Sequence, residues 1–280
     1  SPGAALLEAR ASAAKSAAEA AQLPPCSNYP QLEPNSLAPV CLAVPADRAR
    51  FFEVAPHMSR SWPGQISAAV LTLEAVTSAE EQLAFSQNGL RAAGVCAPER
   101  VGVVLADGRR FHMPPRIRFP HNILRNLAVQ GCREEWLVML DADLEVLPPL
   151  SAAVLNATVH SQLRDHSARV AVVLPSFAVR REMLAYWRTR DLRKAPFATK
   201  AGLANLYSAR LADAFNADFY ARGVEATNYR KWFERPQGKP YKIVFESGYE
   251  PYLLLRSDMA RRLRYDTRFV GYGFNKLEFV

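Results

Sequence analysis

Apolar and polar positions fall into blocks along this chain, and block length and spacing separate strands from helices. Ile66-Ser-Ala-Ala-Val-Leu-Thr-Leu73 reads as a strand. Ser78 with Glu81 three residues on reads as a capping box, opening a helix that runs to about Ala93. Arg100 to Ala106 is a second strand. Pro120 opens a helix through Val129, which Gly131 stops. Trp136-Leu-Val-Met-Leu140 is a continuous apolar run, the pattern of a strand covered on both faces. Leu150 to about Leu163 reads as a helix and Val170 to Leu174 as another fully buried strand. A mostly helical, polar region extends over about 180–233, then come strands near Tyr241–Phe245 and Tyr252–Leu255. Strands separated by helical segments predict an α/β fold with a mainly parallel sheet.

The first 41 residues break this pattern. Residues 4–22 are Ala-rich with scattered Glu, Lys and Arg, which favours a helix with too little apolar area to join a core. Pro24, Pro25, Pro30, Pro34 and Pro39 then punctuate a linker. Residues 1–41 are therefore expected to be a stem or linker, and 42–280 the folded domain. Cys26 and Cys41 stand at the ends of the linker and could close a short loop. With Cys96 and Cys132 they make an even number, which permits disulfides without requiring them, and none has metal-type CxxC spacing.

Composition narrows the classes. Hydrophobic residues at 49% and charged residues at 22% fit a globular chain rather than a disordered one. The net charge of +8 suits phosphate-bearing or acidic partners, but it is spread out, with Arg261-Arg262-Leu-Arg264 the densest basic group. A solvated basic surface accounts for it better than a nucleic-acid face. No stretch approaches the roughly 18–20 apolar residues of a membrane span. The chain starts at Ser1 without a Met, so a targeting or anchoring segment could have been removed, and its absence here says little about the parent protein. Asn156-Ala157-Thr158 is a glycosylation sequon, used only in a secretory compartment.

The sharpest chemical feature is Asp141-Ala142-Asp143, directly after the apolar run. It places two carboxylates at the carboxyl edge of a parallel sheet, where open α/β sheets bind ligands. Paired carboxylates repel each other unless a cation shares them, and Mg²⁺ or Mn²⁺ favours such hard oxygens, completed by water and phosphates. The competing reading is a solvated loop whose Asp residues cap the next turn. On the preceding helix, Asn122 and Asn126 lie one turn apart with Arg125 beside them, a set that suits uracil, ribose or diphosphate. Glu250 and Asp266 are candidates for a general base, and either could equally be a structural anion paired with Arg. Gly271 and Gly273 bracket Tyr272, which suits a loop presenting an aromatic to a sugar ring.

Six segments in order carry a resemblance. Asn122-Ile-Leu-Arg-Asn126, Leu140-Asp-Ala-Asp143, Leu174-Pro-Ser-Phe177, Thr227-Asn-Tyr-Arg-Lys-Trp232, Tyr249-Glu-Pro-Tyr252 and Tyr265-Asp-Thr-Arg-Phe-Val-Gly-Tyr-Gly-Phe-Asn-Lys276 together resemble glycosyltransferase family 49 from about Phe51 onward. The resemblance implies a single GT-A domain with a mostly parallel, Rossmann-like sheet, Mn²⁺ dependence, and inverting transfer from a UDP-sugar to a glycan or glycoprotein acceptor. It favours UDP-glucuronic acid as donor, a Golgi setting and a membrane-anchored parent. Asp141 and Asp143 match the family's metal motif, and Arg125 or Lys276 would neutralise phosphate or a donor carboxylate. The family usually carries an acidic or bulkier residue where Gly248 stands, and a late His on the metal in a segment beyond Val280, so an incomplete cation site is expected here. The rival readings are a GT-A-like module that binds nucleotide or glycan without turnover, a nucleic-acid-binding protein, and a metal-dependent phosphoryl-transfer enzyme.

Overall fold

The computed structural model describes residues 40–62, 64–72, 79–111, 119–146, 170–236 and 239–269, with Leu23 and Cys26. The expected stem helix, the Ser78–Glu81 capping box, the helix at 150–163, the sequon, Tyr272 and Lys276 lie outside the described residues.

Strands β1 (Val40–Asp47), β2 (Gln65–Thr72), β3 (Val101–Asp107) and β4 (Trp136–Met139) are parallel, in the order β3-β2-β1-β4. Strand β5 (Val172–Leu174) and strand β8 (Tyr252–Arg256) complete a six-stranded sheet in the order β4-β8-β5, with β8 antiparallel to both neighbours. The mainly parallel α/β sheet expected from the sequence is thus present, and one reversed strand lies inside it. A separate pair, β6 (Phe177–Val179) with β7 (Ala212–Ala214), is antiparallel.

The period of two along each strand divides the core into two layers. Leu42, Val44, Val70, Trp136, Val138 and Leu254 point to one face, where helix α1 (Arg48–Ser61) covers them with Phe51, Val54 and Met58. Cys41, Ala43, Leu71, Leu137 and Leu255 point to the other. There α4 (His121–Gly131), which comes after the short helices α2 (Ala79–Ala84) and α3 (Gln87–Ala92), packs through Leu124, Ala128 and Val129. Double coverage explains why β4 reads as an unbroken apolar run.

A third cluster lies apart from the sheet. Helices α5 (Arg181–Arg188) and α6 (Lys200–Ser208) close around Phe197, Leu203 and Leu206. After α7 (Ala217–Tyr220) and α8 (Arg222–Glu225), helix α9 (Tyr229–Glu234) adds Trp232 and Phe233 to that cluster. The last described helix, α10 (Ser257–Leu263), returns to the sheet through Ala260.

Several sequence expectations are corrected. β1, the strand between β2 and β4, is hidden in the sequence by Pro45 within it and Pro39 just before it. Ala43 O accepts from Leu140 N–H, so Pro45, two residues on, faces the same side but lies past the last β1–β4 pair, Ala43↔Met139. Its missing N–H therefore removes no bond to β4. The single helix expected to Ala93 is two, because Ser86 caps the second by accepting from Gly89 N–H at 3.2 Å. Gly131 is not a left-handed stop but the last residue of α4: a Cβ there would lie 2.2 Å from Ser67 Oγ, so only glycine lets the helix sit this close to β2. β5 is half-buried rather than fully buried, since it is the outermost strand. Tyr241–Phe245 forms no strand, and Val244 and Phe245 are exposed. The cysteines do not close the linker. Cys26 pairs with Cys96 and Cys41 with Cys132, the latter tying the start of β1 to the end of α4.

This packing has measurable consequences. The Cys41–Cys132 bond closes a separation of 91 residues, so replacing both by Ala should cost about 3–5 kcal/mol, read from the denaturation midpoint. His57 on α1 is pushed from 6.5 down to about 4, by burial first and then by Arg188 and Arg60. Between those values the unfolded chain holds a proton that the folded chain does not. Stability should therefore fall as pH drops from 6.5 toward 4, by about 3 kcal/mol at most, and His57→Gln should flatten that slope.

Candidate active site

All four parallel strands end on one edge, and three of them end at or just before an aspartate. Asp47 and Asp107 cap the helical turns after them, accepting from Arg50 N–H at 2.8 Å and Arg109 N–H at 3.1 Å. Arg109 also forks onto Asp107 and, with its hydrogen bonds, holds that carboxyl down at about 2. These two match the local capping reading. Asp141 does not.

The partners of Asp141 come from far along the chain. Arg125 on α4 donates from Nη2 to Oδ1 at 2.9 Å, and Tyr252 at the start of β8 donates from Oη to Oδ2 at 2.8 Å. Arg125 is 2% exposed. Burial is the largest influence and weakens its charge, but Asp141, Tyr265 and Tyr252 together overcome it and raise the pKa. Burial, then Asp141 and then Asp143, push the Tyr252 phenol well above its ordinary value, so it stays a proton donor. Both oxygens of Asp141 are thus engaged by protein, one in a charge-assisted bond.

Asp143 is presented differently. Leu144 N–H donates to Asp141 O at 3.1 Å, closing a turn over 141–144 with Asp143 near its tip and exposed. Both carboxylates offer hard oxygen to a divalent cation, so the donor chemistry fits Mg²⁺ or Mn²⁺. Among the described residues no group of three or more His, Cys, Asp and Glu converges as a complete ligand set.

Asn122 and Asn126, expected to face the nucleotide, turn their amides to protein. Asn122 accepts from Arg125 Nη1 at 3.0 Å and donates to Asp266 O at 2.9 Å. Asn126 exchanges two bonds of 2.8 Å with the backbone of Tyr265. Helix α4 therefore carries the 265–266 segment as well as Arg125, whose guanidinium lies 5.3 Å from the Tyr265 ring centre.

The two candidate bases separate clearly. Both oxygens of Asp266 accept from Arg268, which holds its carboxyl below the usual range. The β4–β8 pairing runs as far as Val138↔Leu254, and Glu250, two residues before Tyr252 opens β8, donates its N–H to Gly223 O at 3.0 Å. Glu250 Oε1 is buried and has no hydrogen-bond partner among the described residues. Gly248 just before it has φ +94°, and a Cβ there would lie 2.4 Å from Tyr220 Oη, so Tyr220 occupies the space a larger side chain would need.

Sequence reasoning missed Tyr252 and Tyr249 as polar partners. Tyr249 Oη meets Thr227 Oγ1 at 2.8 Å, and Tyr229 donates to Ser176 O at 2.9 Å. The signal was present, since each is a tyrosine inside one of the six family-like segments. Those segments, separate in sequence, are in contact with one another.

Comparison with known proteins agrees. The model of glycosyltransferase family 49, described as "Glycosyl-transferase for dystroglycan", matches residues 84–280. The chain belongs to this family. It is 27% identical over 237 residues to the xylosyl- and glucuronyltransferase LARGE2s of Danio rerio, covering 84% of this chain and 27% of that protein. To the xylosyl- and glucuronyltransferase LARGE1 of Homo sapiens it is 25% identical over 236 residues, again 84% of this chain and 27% of the relative. The chain therefore spans about a quarter of the length of these relatives.

If the Arg125–Asp141–Tyr252 set orders this edge, Arg125→Met should cost about 3 kcal/mol by leaving a carboxylate half-buried and without its cation. Tyr252→Phe should cost about 1.5–2 kcal/mol. Urea denaturation of both variants checks the order.

Proposed function

We propose that this chain is a catalytic domain that transfers a sugar from a UDP-sugar to a glycan acceptor, with inversion and with Mn²⁺ or a similar cation. The observation that carries the reading is a pair of unlike carboxyl sites linked through Tyr252, which donates to Asp141 and follows Glu250 by two residues. One is the Asp141–Asp143 turn, and the other is Glu250 with its unpartnered buried oxygen. Family membership and the names of the relatives, xylosyl- and glucuronyltransferases, support a sugar-nucleotide donor. Those names give xylose and glucuronic acid alike, and the family resemblance favours glucuronic acid.

Asp143 would hold the cation directly. Asp141, with both oxygens engaged, would add negative charge behind it and set the turn. A cation bound there supplies positive charge to the donor diphosphate and so eases departure of UDP. Glu250 accepts the proton of the acceptor hydroxyl as that oxygen bonds to the anomeric carbon and the bond to UDP breaks. Asp266 is the weaker candidate because Arg268 already neutralises it. Arg125 contributes through Asp141, which it faces, more than through the donor.

The two disulfides support an oxidising, secretory compartment, in keeping with a Golgi lumen. Among the described residues no helix is long and apolar enough to cross a membrane, so an anchor in the parent protein is part of the proposal alone.

The test is UDP release with Mn²⁺ and a panel of UDP-sugars and glycan acceptors. Asp143→Ala should abolish the Mn²⁺-dependent rate, and activity that persists in EDTA would remove the cation. Glu250→Gln should lower kcat by about 10²–10⁴-fold with little change in donor KM. UDP binding without any release, across the whole panel, would favour a binding module instead.

A further inference from the structure

The Asp141–Asp143 turn is clamped at both ends. Upstream, Asp141 is held by Arg125 and Tyr252. Downstream, Leu144 and Val146 pack into the α1-side core, and Glu145 lies between them. Its side chain is only 7% exposed, and Oε1 accepts from Nε of Arg188, the last residue of α5. Arg50 is also within electrostatic reach of Glu145, but it is hydrogen-bonded to Glu53 at 2.8 Å. Arg188 is the side chain that donates to Glu145.

A pair this buried is a poor source of stability, because desolvating both ions offsets most of their attraction. Its better-attested use is to fix register. The register at stake is that of the turn tip: with Asp141 and Glu145 both anchored, Ala142 and Asp143 lie between two fixed points. Arg188 also reaches across to α1, where its charge helps depress His57. It therefore ties the α5 layer to the donor edge of the sheet.

We propose that Arg188, acting through Glu145, is a positioning residue that sets where Asp143 meets the cation and the donor diphosphate. This rests on the donor-side reading of Asp143 given above. Neither Arg188 nor Glu145 touches substrate in the proposal, so their loss acts on donor and cation rather than on the acceptor.

The experiment measures kcat, donor KM, acceptor KM and the half-activating Mn²⁺ concentration for the full chain carrying Arg188→Met, Arg188→Lys and Glu145→Gln. Arg188→Met should raise donor KM and the Mn²⁺ requirement about tenfold, leave acceptor KM within about twofold, and be largely rescued by Arg188→Lys. If Arg188→Met does not fold, Glu145→Gln keeps the shape while removing the ion pair, and should show the same split. Variants with lower melting temperatures but wild-type donor and Mn²⁺ constants would overturn the proposal and leave the pair purely structural. Calorimetry of the wild type with UDP and Mn²⁺ comes first. No binding there would remove the donor reading together with this inference, whereas a binding wild type with unaltered variants removes this inference alone.

Discussion

A guanidinium that is 2% exposed must face an anion, and in this fold that anion is Asp141. The rest of the site is arranged around that requirement. Arg125 can reach Asp141 because α4 lies close on β2, which needs glycine at 131, and because Cys132 is bonded to Cys41 at the start of β1. Asn122 takes another of its donors, and Tyr252 takes the other oxygen of Asp141. Net stabilisation from such a pair is small, so orientation is the better account of it. It holds the end of β4, the middle of α4 and the start of β8 in one geometry.

The same logic extends outward through tyrosines. Tyr252 joins β8 to the aspartate turn, Tyr249 meets Thr227 ahead of α9, and Tyr229 on α9 reaches back to Ser176 beside β6. Burial pushes the Tyr229 and Tyr249 phenols up to about 12, so both remain neutral hydroxyls across the physiological range. A buried hydroxyl without a partner would cost about 1–3 kcal/mol, which ties each of these residues to its position. Asp141 differs from them in facing a buried guanidinium, that of Arg125 at 2.9 Å.

Which elements can be read from the sequence depends on which interactions are local. β2, β4 and β8 announce themselves because double coverage demands apolar runs, and α4 because Pro120 opens it. β1 does not, because Pro45 is harmless only given where β4 stops, a fact of pairing and not of local sequence. The break between α2 and α3 turns on one capping serine and on Gly89, where a Cβ would lie 2.3 Å from Leu83 O. Ile243-Val244-Phe245 has strand-like composition, yet its backbone joins no sheet and two of its three side chains are exposed. Composition reports what a segment would do against a partner strand, and none is supplied among the described residues.

The candidate site divides along the same line. Asp141 and Asp143 were visible as a triplet after a strand, but their difference was not. It depends on Arg125 sixteen residues earlier and Tyr252 far downstream, which engage both oxygens of one carboxylate, whereas the other stands at an exposed turn tip. Glu250 and Asp266 looked alike as candidates until Arg268, two residues from Asp266, proved to hold one of them. That contact was local and could have been weighed from sequence, since an Asp-x-Arg pair can fork just as Asp107 does with Arg109. Glu145 is the opposite case. A glutamate after Asp-Ala-Asp-Leu carries no periodic signal, and its partner is Arg188, 43 residues on at the end of α5. Two aspartates in one motif can therefore have different jobs, because a buried guanidinium faces one and the other stands at an exposed turn tip. That asymmetry gives the edge one carboxylate fixed in place and one presented outward.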